Sequence, residues 1–320
     1  MTTKGLYIEK YSPAAHEEWN KTARRMRQSS FLMERDFMDY HADRFADLSV
    51  TFRLGGRLVA VMPGNVEGNV CYSHQGLTYG GLVTDSRVNA AAVLAMMRML
   101  AEWLRGRGIG RMVYKPMPYI YHRIPAQEDL YALFAMGGAA LTGRHLSSAI
   151  CREGRLPLVE SRRSGLRKAL RAGVEIVESA DYGSFWKILT DNLSERHGVA
   201  PVHSLDEITR LASAWPGHIR LHAAMLGGRM MGATVVYTAG RVAHTQYISA
   251  SPEGKRLGAL DLLLDTIIRR EYSSSLYFDF GASTEQMGRC LNDGLIFQKE
   301  GFGGRAVCYD TYEMDLTRSE

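Results

Sequence analysis

The sequence predicts a mixed α/β fold built twice along one chain, each copy a central, mixed but mostly antiparallel sheet flanked by helices. Three observations carry that prediction. Residues 218–250 hold three strand-like runs joined at Gly227-Gly228 and Ala239-Gly240, and a two-residue glycine turn marks a tight hairpin. A helix follows, with Leu260, Leu263, Leu264, Ile267 and Ile268 at helical spacing, and then an apolar strand, 276–280, ending at Gly281. The same succession occurs earlier. Leu54-Gly55-Gly56-Arg57-Leu58-Val59 matches Leu226-Gly227-Gly228-Arg229-Met230-Met231, and a third strand, a helix near 87–107 and a strand at 111–115 come after it. A matched hairpin, strand, helix and strand reads as a tandem repeat of one domain. The boundary is expected where the second copy begins, giving domains 1–155 and 156–320.

Composition bounds the function. The chain has 320 residues, 46% hydrophobic and 23% charged, enough for two globular domains. No apolar run is long enough to span a bilayer, and the first ten residues hold no apolar signal core. Cys71, Cys151, Cys290 and Cys308 are far apart and form no Cys-x-x-Cys pair, which argues against a metal site or disulfide framework and for a reducing cytoplasm. A net charge of +5 tolerates a polyanionic partner without demanding one. With no zinc-finger spacing, RNA-binding aromatic motif or basic tail, DNA is not among the expected partners.

Taken in order, residues 13–29 predict an amphipathic helix through Trp19, Ala23 and Met26, and 31–45 a second through Phe37, Tyr40, His41 and Phe45, aromatics that read as core. After the first hairpin, Ser73-His74-Gln75-Gly76-Leu77-Thr78-Tyr79-Gly80-Gly81 forms a long loop without basic residues. It reads either as a turn or as a surface lying against a ligand, with His74 and Tyr79 as candidate contacts. Between 151 and 171 the chain turns basic, and Arg163, Arg167 and Arg171 at steps of four form one stripe on a helix, either a solvated face or a phosphate site. Residues 181–214 predict two helices, the second opened by Ser204-Leu205-Asp206-Glu207, a capping pattern.

The stretch richest in chemistry is Ser251-Pro252-Glu253-Gly254-Lys255-Arg256-Leu257-Gly258-Ala259, between the third strand and the leucine-rich helix. Unpaired N–H groups at a helix start, two cations and small residues at Gly258 and Ala259 suit a phosphate or pyrophosphate. A solvated loop is the plain alternative. Asp279, Glu285, His244 and Tyr247 lie near the expected cleft, and none stands out as a general base.

The element order of the second half is similar to the GNAT acyltransferase superfamily. Tyr277-Phe278-Asp279-Phe280-Gly281, followed by Phe297-Gln298-Lys299-Glu300-Gly301-Phe302-Gly303-Gly304, resembles its Fem-type branch, the FemABX aminoacyltransferases and related tandem-GNAT proteins. The basic segment Arg163 to Ala169 and Lys255-Arg256-Leu257-Gly258-Ala259 match that branch as well. The resemblance implies two GNAT-like domains, the first degenerate, and an amine attacking an acyl-CoA thioester or the ester of an aminoacyl-tRNA. It implies that Ser251, Lys255, Arg256, Leu257, Gly258 and Ala259 hold the donor's phosphates, and that Lys299 polarises the reacting carbonyl, with Tyr247 and Glu285 as further catalytic candidates. Arg196, His74, Tyr79 and Asp279 are the candidates for holding the acceptor, a small-molecule amine or an amine of an envelope precursor. No metal is implied. The chain lacks the coiled-coil insertion that Fem ligases often carry for tRNA, and Arg256 stands where the GNAT phosphate motif expects a glycine. The reading that follows is an N-acyltransferase using acyl-CoA. Its alternatives are an aminoacyl-tRNA-dependent transferase and a non-catalytic binding protein that keeps only the cleft.

Overall fold

In the computed structural model the described residues are 3–317, excepting the side chains at 196 and 197. The chain divides into two compact units. The first takes residues up to His145, then Thr284–Cys290, and the chain from Cys308 onward; the second takes Leu146–Ser283 and Leu291–Val307. Where the repeat suggested one boundary at 155/156, the polypeptide passes between units at 145/146, 283/284, 290/291 and 307/308. The segments that complete each unit are not contiguous in sequence, and a repeat pattern cannot show that.

The first unit runs β1 (Leu6–Lys10), α1 (His16–Ala23), α2 (Arg35–Met38), β2 (Ala46–Asp47), β3 (Val50–Leu54), β4 (Arg57–Met62), β5 (Asn65–Glu67), β6 (Val70–Tyr72), β7 (Val83–Thr84), α3 (Ala90–Arg105), β8 (Arg111–Tyr114) and α4 (Glu128–Met136). Strands β1, β3, β4 and β7 form an antiparallel sheet in that order, and β6 pairs β8 in parallel. Helix α3 is capped by Asn89, which accepts from Ala92 N at 3.0 Å, and it buries Met96, Met97, Leu100 and Leu104 in the core beneath. The helix expected over 31–45 is not continuous. It resolves into a 3₁₀ turn (Phe31–Met33), α2 and a second 3₁₀ turn (Asp39–His41). Glu34 is extended and interrupts the coil, while the buried Arg35 ties the segment down through Asp39 at 2.5 Å and Asp47 at 2.6 Å. Side-chain anchoring overrides the helical period here.

The second unit runs β9 (Ala139–Cys151, of which 146–151 belong here), α5 (Glu160–Arg171), β10 (Glu175–Ser179), α6 (Tyr182–His197), α7 (Leu205–Ala214), β11 (Ile219–Leu226), β12 (Arg229–Ala239), β13 (Val242–Ala250), α8 (Pro252–Leu257), α9 (Ala259–Arg269) and β14 (Tyr277–Ala282). After β15 (Thr284–Glu285) and β16 (Cys290–Leu291) come α10 (Asp293–Gly301) and β17 (Arg305–Asp315). Its sheet has the order β10-β11-β12-β13-β14-β9, antiparallel except for β13 against β14. The hairpin glycines Gly227 and Gly228 sit at φ 55° and 75°, as Gly55 and Gly56 do at 59° and 79° in the first unit, a turn that only glycine makes without strain. Leu263, Ile267, Phe278, Phe280 and Phe302 form the middle of the core between α9, β14 and α10. The predicted capping box is present: Ser204 Oγ accepts from Glu207 N at 3.1 Å, and Ser204 N donates back to Glu207 Oε2 at 2.8 Å.

Candidate functional site

The site arises where two strands part. β13 and β14 pair in parallel at Val242–Tyr277, Ala243–Phe278 and His244–Asp279, and the pairing stops there. On the β12 side Gln246 is bulged out, since Val235 pairs Tyr247 while Val236 pairs Thr245. On the other side β14 shifts register against β9 between Asp279 and Ala282, with Gly281 at φ 75°. The opening is a cavity of about 530 Å³, in the range of small-molecule sites. Ile248, Ser249 and Ala250 of β13, Phe280 of β14, and Leu260 and Leu264 of α9 form much of its wall, closed by α6 and α10.

Lys299 sits in this wall. On α10, Ile296, Lys299 and Phe302 fall three apart and are buried together, so the helix presents a cation in the middle of an apolar face. The ammonium donates to Gly281 O at 2.8 Å and to Ala282 O at 2.7 Å. An ammonium has three donors, so one remains for a group in the cavity. Burial pushes its pKa down to about 8, partly offset by the nearby Asp279 carboxylate. A cation held by two carbonyls at the edge of an apolar cavity is arranged to meet a developing negative charge.

Asn192 of α6 organises the opposite wall. Its Nδ2 donates to Ser249 Oγ and to Ala250 O, each at 2.9 Å, fixing the end of β13, and its Oδ1 accepts from Lys255 Nζ. Sequence reasoning passed over Asn192, as it did Gln298 and the α10 cap Asn292, which also line the cavity. Gln298 lies within the Fem-type motif and Asn192 and Asn292 in none, and only the fold brings the three to one space.

The structure corrects the picture of 251–259. Ser251 Oγ accepts from Gly254 N at 3.0 Å, and the segment coils at once into α8 instead of forming an open loop. Gly258 is small for packing: at φ 75°, a Cβ there would lie 2.5 Å from the Gly165 carbonyl oxygen of α5. Ala259 is fully buried. Of the two cations, Lys255 lines the cavity, while Arg256 is exposed and faces Glu253 at 3.9 Å.

The remaining candidates are scattered. Tyr247 does not line the cavity; its hydroxyl meets His203 Nδ1 at 2.6 Å and its ring packs edge-on to Trp186. Asp279 is fully buried and anchors the strand end: it accepts from Ser147 Oγ at 2.5 Å, His244 Nδ1 at 2.7 Å and Gly281 N at 3.2 Å. Glu285 is an exposed residue of β15 in the first unit. His74 and Tyr79 are buried in that unit. The His74 ring stacks on His41 and burial pushes its pKa down to about 3, while Tyr79 Oη donates to Ser30 Oγ at 3.1 Å. The side chain of Arg196 lies outside the described residues. Among the described residues no group of three His, Cys, Asp or Glu could hold a metal ion, and no helix is long and apolar enough to cross a membrane.

Residues 160–287 match the family model described as "Acetyltransferase (GNAT) domain", a match that ends before α10. No curated protein matches the sequence. Among solved structures the chain is similar to FemX, with a TM-score of 0.67, 12% identity and 97% of each chain covered. It is similar to the C-terminal domain of a putative lysylphosphatidylglycerol synthetase from Agrobacterium fabrum, with a TM-score of 0.59, 15% identity and 95% of this chain and 92% of that one covered. It is also similar to a tandem GNAT protein from the clavulanic acid biosynthesis pathway, with a TM-score of 0.52, 12% identity and 98% of this chain and 100% of that one covered. At such identities the likeness is one of fold. Residues 160–287 therefore match a GNAT acetyltransferase domain, and the chain over nearly its whole length is similar in fold to FemX and to a tandem GNAT protein.

Proposed function

We propose that the chain is an N-acyltransferase that moves an acyl group from an acyl-CoA thioester to an amine of a sugar, an amino acid or an envelope precursor. One observation carries the reading: the Lys299 ammonium, buried in the cavity wall between β13 and β14 and held by the Gly281 and Ala282 carbonyls. The thioester would enter the opening between the strands with its carbonyl oxygen toward Lys299 and its pantetheine arm against Ile248, Leu260 and Leu264. Lys255 stands on the same cavity where the donor's phosphates would leave it. The amine adds to the carbonyl carbon, the oxyanion collapses, the C–S bond breaks, and the products are an amide and free coenzyme A.

Lys299→Ala is expected to lower kcat by roughly 100- to 1,000-fold, the usual effect of removing one oxyanion donor, while acetyl-CoA still raises the melting temperature. Full activity in that variant would remove Lys299 from the mechanism. Lys255→Ala combined with Arg256→Ala is expected to weaken donor binding without changing the fold. Unchanged donor affinity would make this end of the cavity something other than the phosphate site.

A second reading, an aminoacyl-tRNA ester as donor, is favoured by the exposed arginines Arg163, Arg167 and Arg171 along α5. It predicts tRNA binding that falls steeply with salt and no response to coenzyme A.

A further inference from the structure

We propose that His244, oriented by Asp279, is the base that takes the proton from the attacking amine. The inference rests on the acyltransferase reading and adds the group that reading lacks. His244 stands on β13 opposite Asp279 of β14 at the last paired position before the strands part, beside the cavity and not among the residues that line it. Its Nδ1 is 2.7 Å from Asp279 Oδ2. A carboxylate can only accept, so Nδ1 carries a proton, and in the neutral ring this leaves the lone pair on Nε2. Asp279 has no exposure to water and is fixed by Ser147 Oγ at 2.5 Å and Gly281 N at 3.2 Å, so it holds the ring's tautomer and orientation and can balance the charge of an imidazolium. This is the arrangement of a base with an orienting partner.

Gly281 connects this pair to the cation. Its carbonyl accepts from Lys299 Nζ at 2.8 Å, while a Cβ at Gly281 would lie 3.3 Å from His244 Cε1 and 3.9 Å from Nε2. Imidazole and ammonium thus flank one residue whose lack of a side chain leaves the space beside the ring open. A thioester carbonyl with its oxygen on Lys299 would present its carbon to an amine arriving on the His244 side. The amine nitrogen bonds to the carbonyl carbon and its proton passes to Nε2. The C–S bond then breaks, and the imidazolium returns the proton to the departing thiolate, regenerating neutral His244. The titratable group in contact with the ring is Asp279 of β14; near it stand Lys299 of α10, which binds the Gly281 carbonyl, and Tyr237, its register partner on β12.

The test measures thiol release from acetyl-CoA and longer acyl-CoA thioesters over a panel of amino acids, amino sugars and polyamines. Wild type, His244→Gln and His244→Ala are compared, with melting temperatures read with and without acetyl-CoA. The expected result is a loss of roughly 100- to 10,000-fold in kcat in both variants, an unchanged acetyl-CoA shift, and partial recovery of His244→Ala by added imidazole. Recovery by imidazole is a readout that a packing role would not give. Activity within about threefold of wild type in His244→Gln would overturn the proposal. So would a folded, donor-binding His244→Ala that imidazole does not rescue, since that is the behaviour of a packing residue. Wild type releasing no thiol with any pair would instead overturn the acyl-CoA reading beneath it.

Discussion

Burial of the Lys299 ammonium links the chemistry to stability. An unfolded lysine titrates near 10.4, and this one is pushed down to about 8. Between those values the unfolded chain holds a proton that the folded chain has released, so stability rises with pH across the window. Below about pH 8 both states are protonated, and burial of the charge costs about 3 kcal/mol. Relative to Lys299→Met, wild type is therefore expected to gain up to about 3 kcal/mol between pH 7.5 and 10.5, measured by urea unfolding. A flat difference would mean the charge is not buried. Catalysis should move the other way: the neutral amine has no charge and only the two N–H bonds that its carbonyl partners take, so kcat/KM is expected to fall as pH rises through about 8. The sequence singled out Lys299 because its neighbours form a motif, and the structure shows it lining the cavity. The pairing of His244 with Asp279 was not, because 35 residues separate the partners and only the register of β13 on β14 brings them together.

At the scale of elements, the segment after β13 shows how a composition that suits a ligand can serve packing instead. Glycines and cations before a leucine-rich helix read as a phosphate loop. In the fold, α8 forms at once, Gly258 lies on the Gly165 carbonyl of α5, and of the two cations only Lys255 lines the cavity. Gly258→Ala meets both a left-handed backbone and a contact of 2.5 Å to backbone oxygen, so it is expected to destabilise by about 1–3 kcal/mol in urea unfolding. Arg256→Ala, which removes one exposed side chain, is expected to stay within about 0.5 kcal/mol. Equal effects of the two would contradict this account of the segment. The hairpins, the capping box and α9 were readable because each is a local rule. The bulge at Gln246 and the parting of β13 from β14, which make the cavity, leave no local mark.

At the scale of the whole molecule, the duplicated order of elements was visible in the sequence, and the way the chain is shared between units was not. The last strand of the second unit's sheet comes from 147–151, ahead of the 155/156 boundary that the repeat suggested, and it carries Ser147, which donates to Asp279. A fragment 146–307 is expected to unfold cooperatively, whereas one beginning at 156 leaves β14 without its β9 partner and Asp279 short of a donor. Equal thermal transitions in the two would contradict that division. The family match stops at residue 287, and α10 with Lys299 lies beyond it, so the acyl-CoA reading depends on the cavity itself. The most direct measurement is the melting temperature with coenzyme A and acetyl-CoA beside charged and uncharged tRNA, at low and moderate salt. The account predicts a concentration-dependent rise with coenzyme A and its thioester that Lys255→Ala diminishes. No shift with coenzyme A or its thioester, alongside a salt-sensitive shift with tRNA, would contradict it.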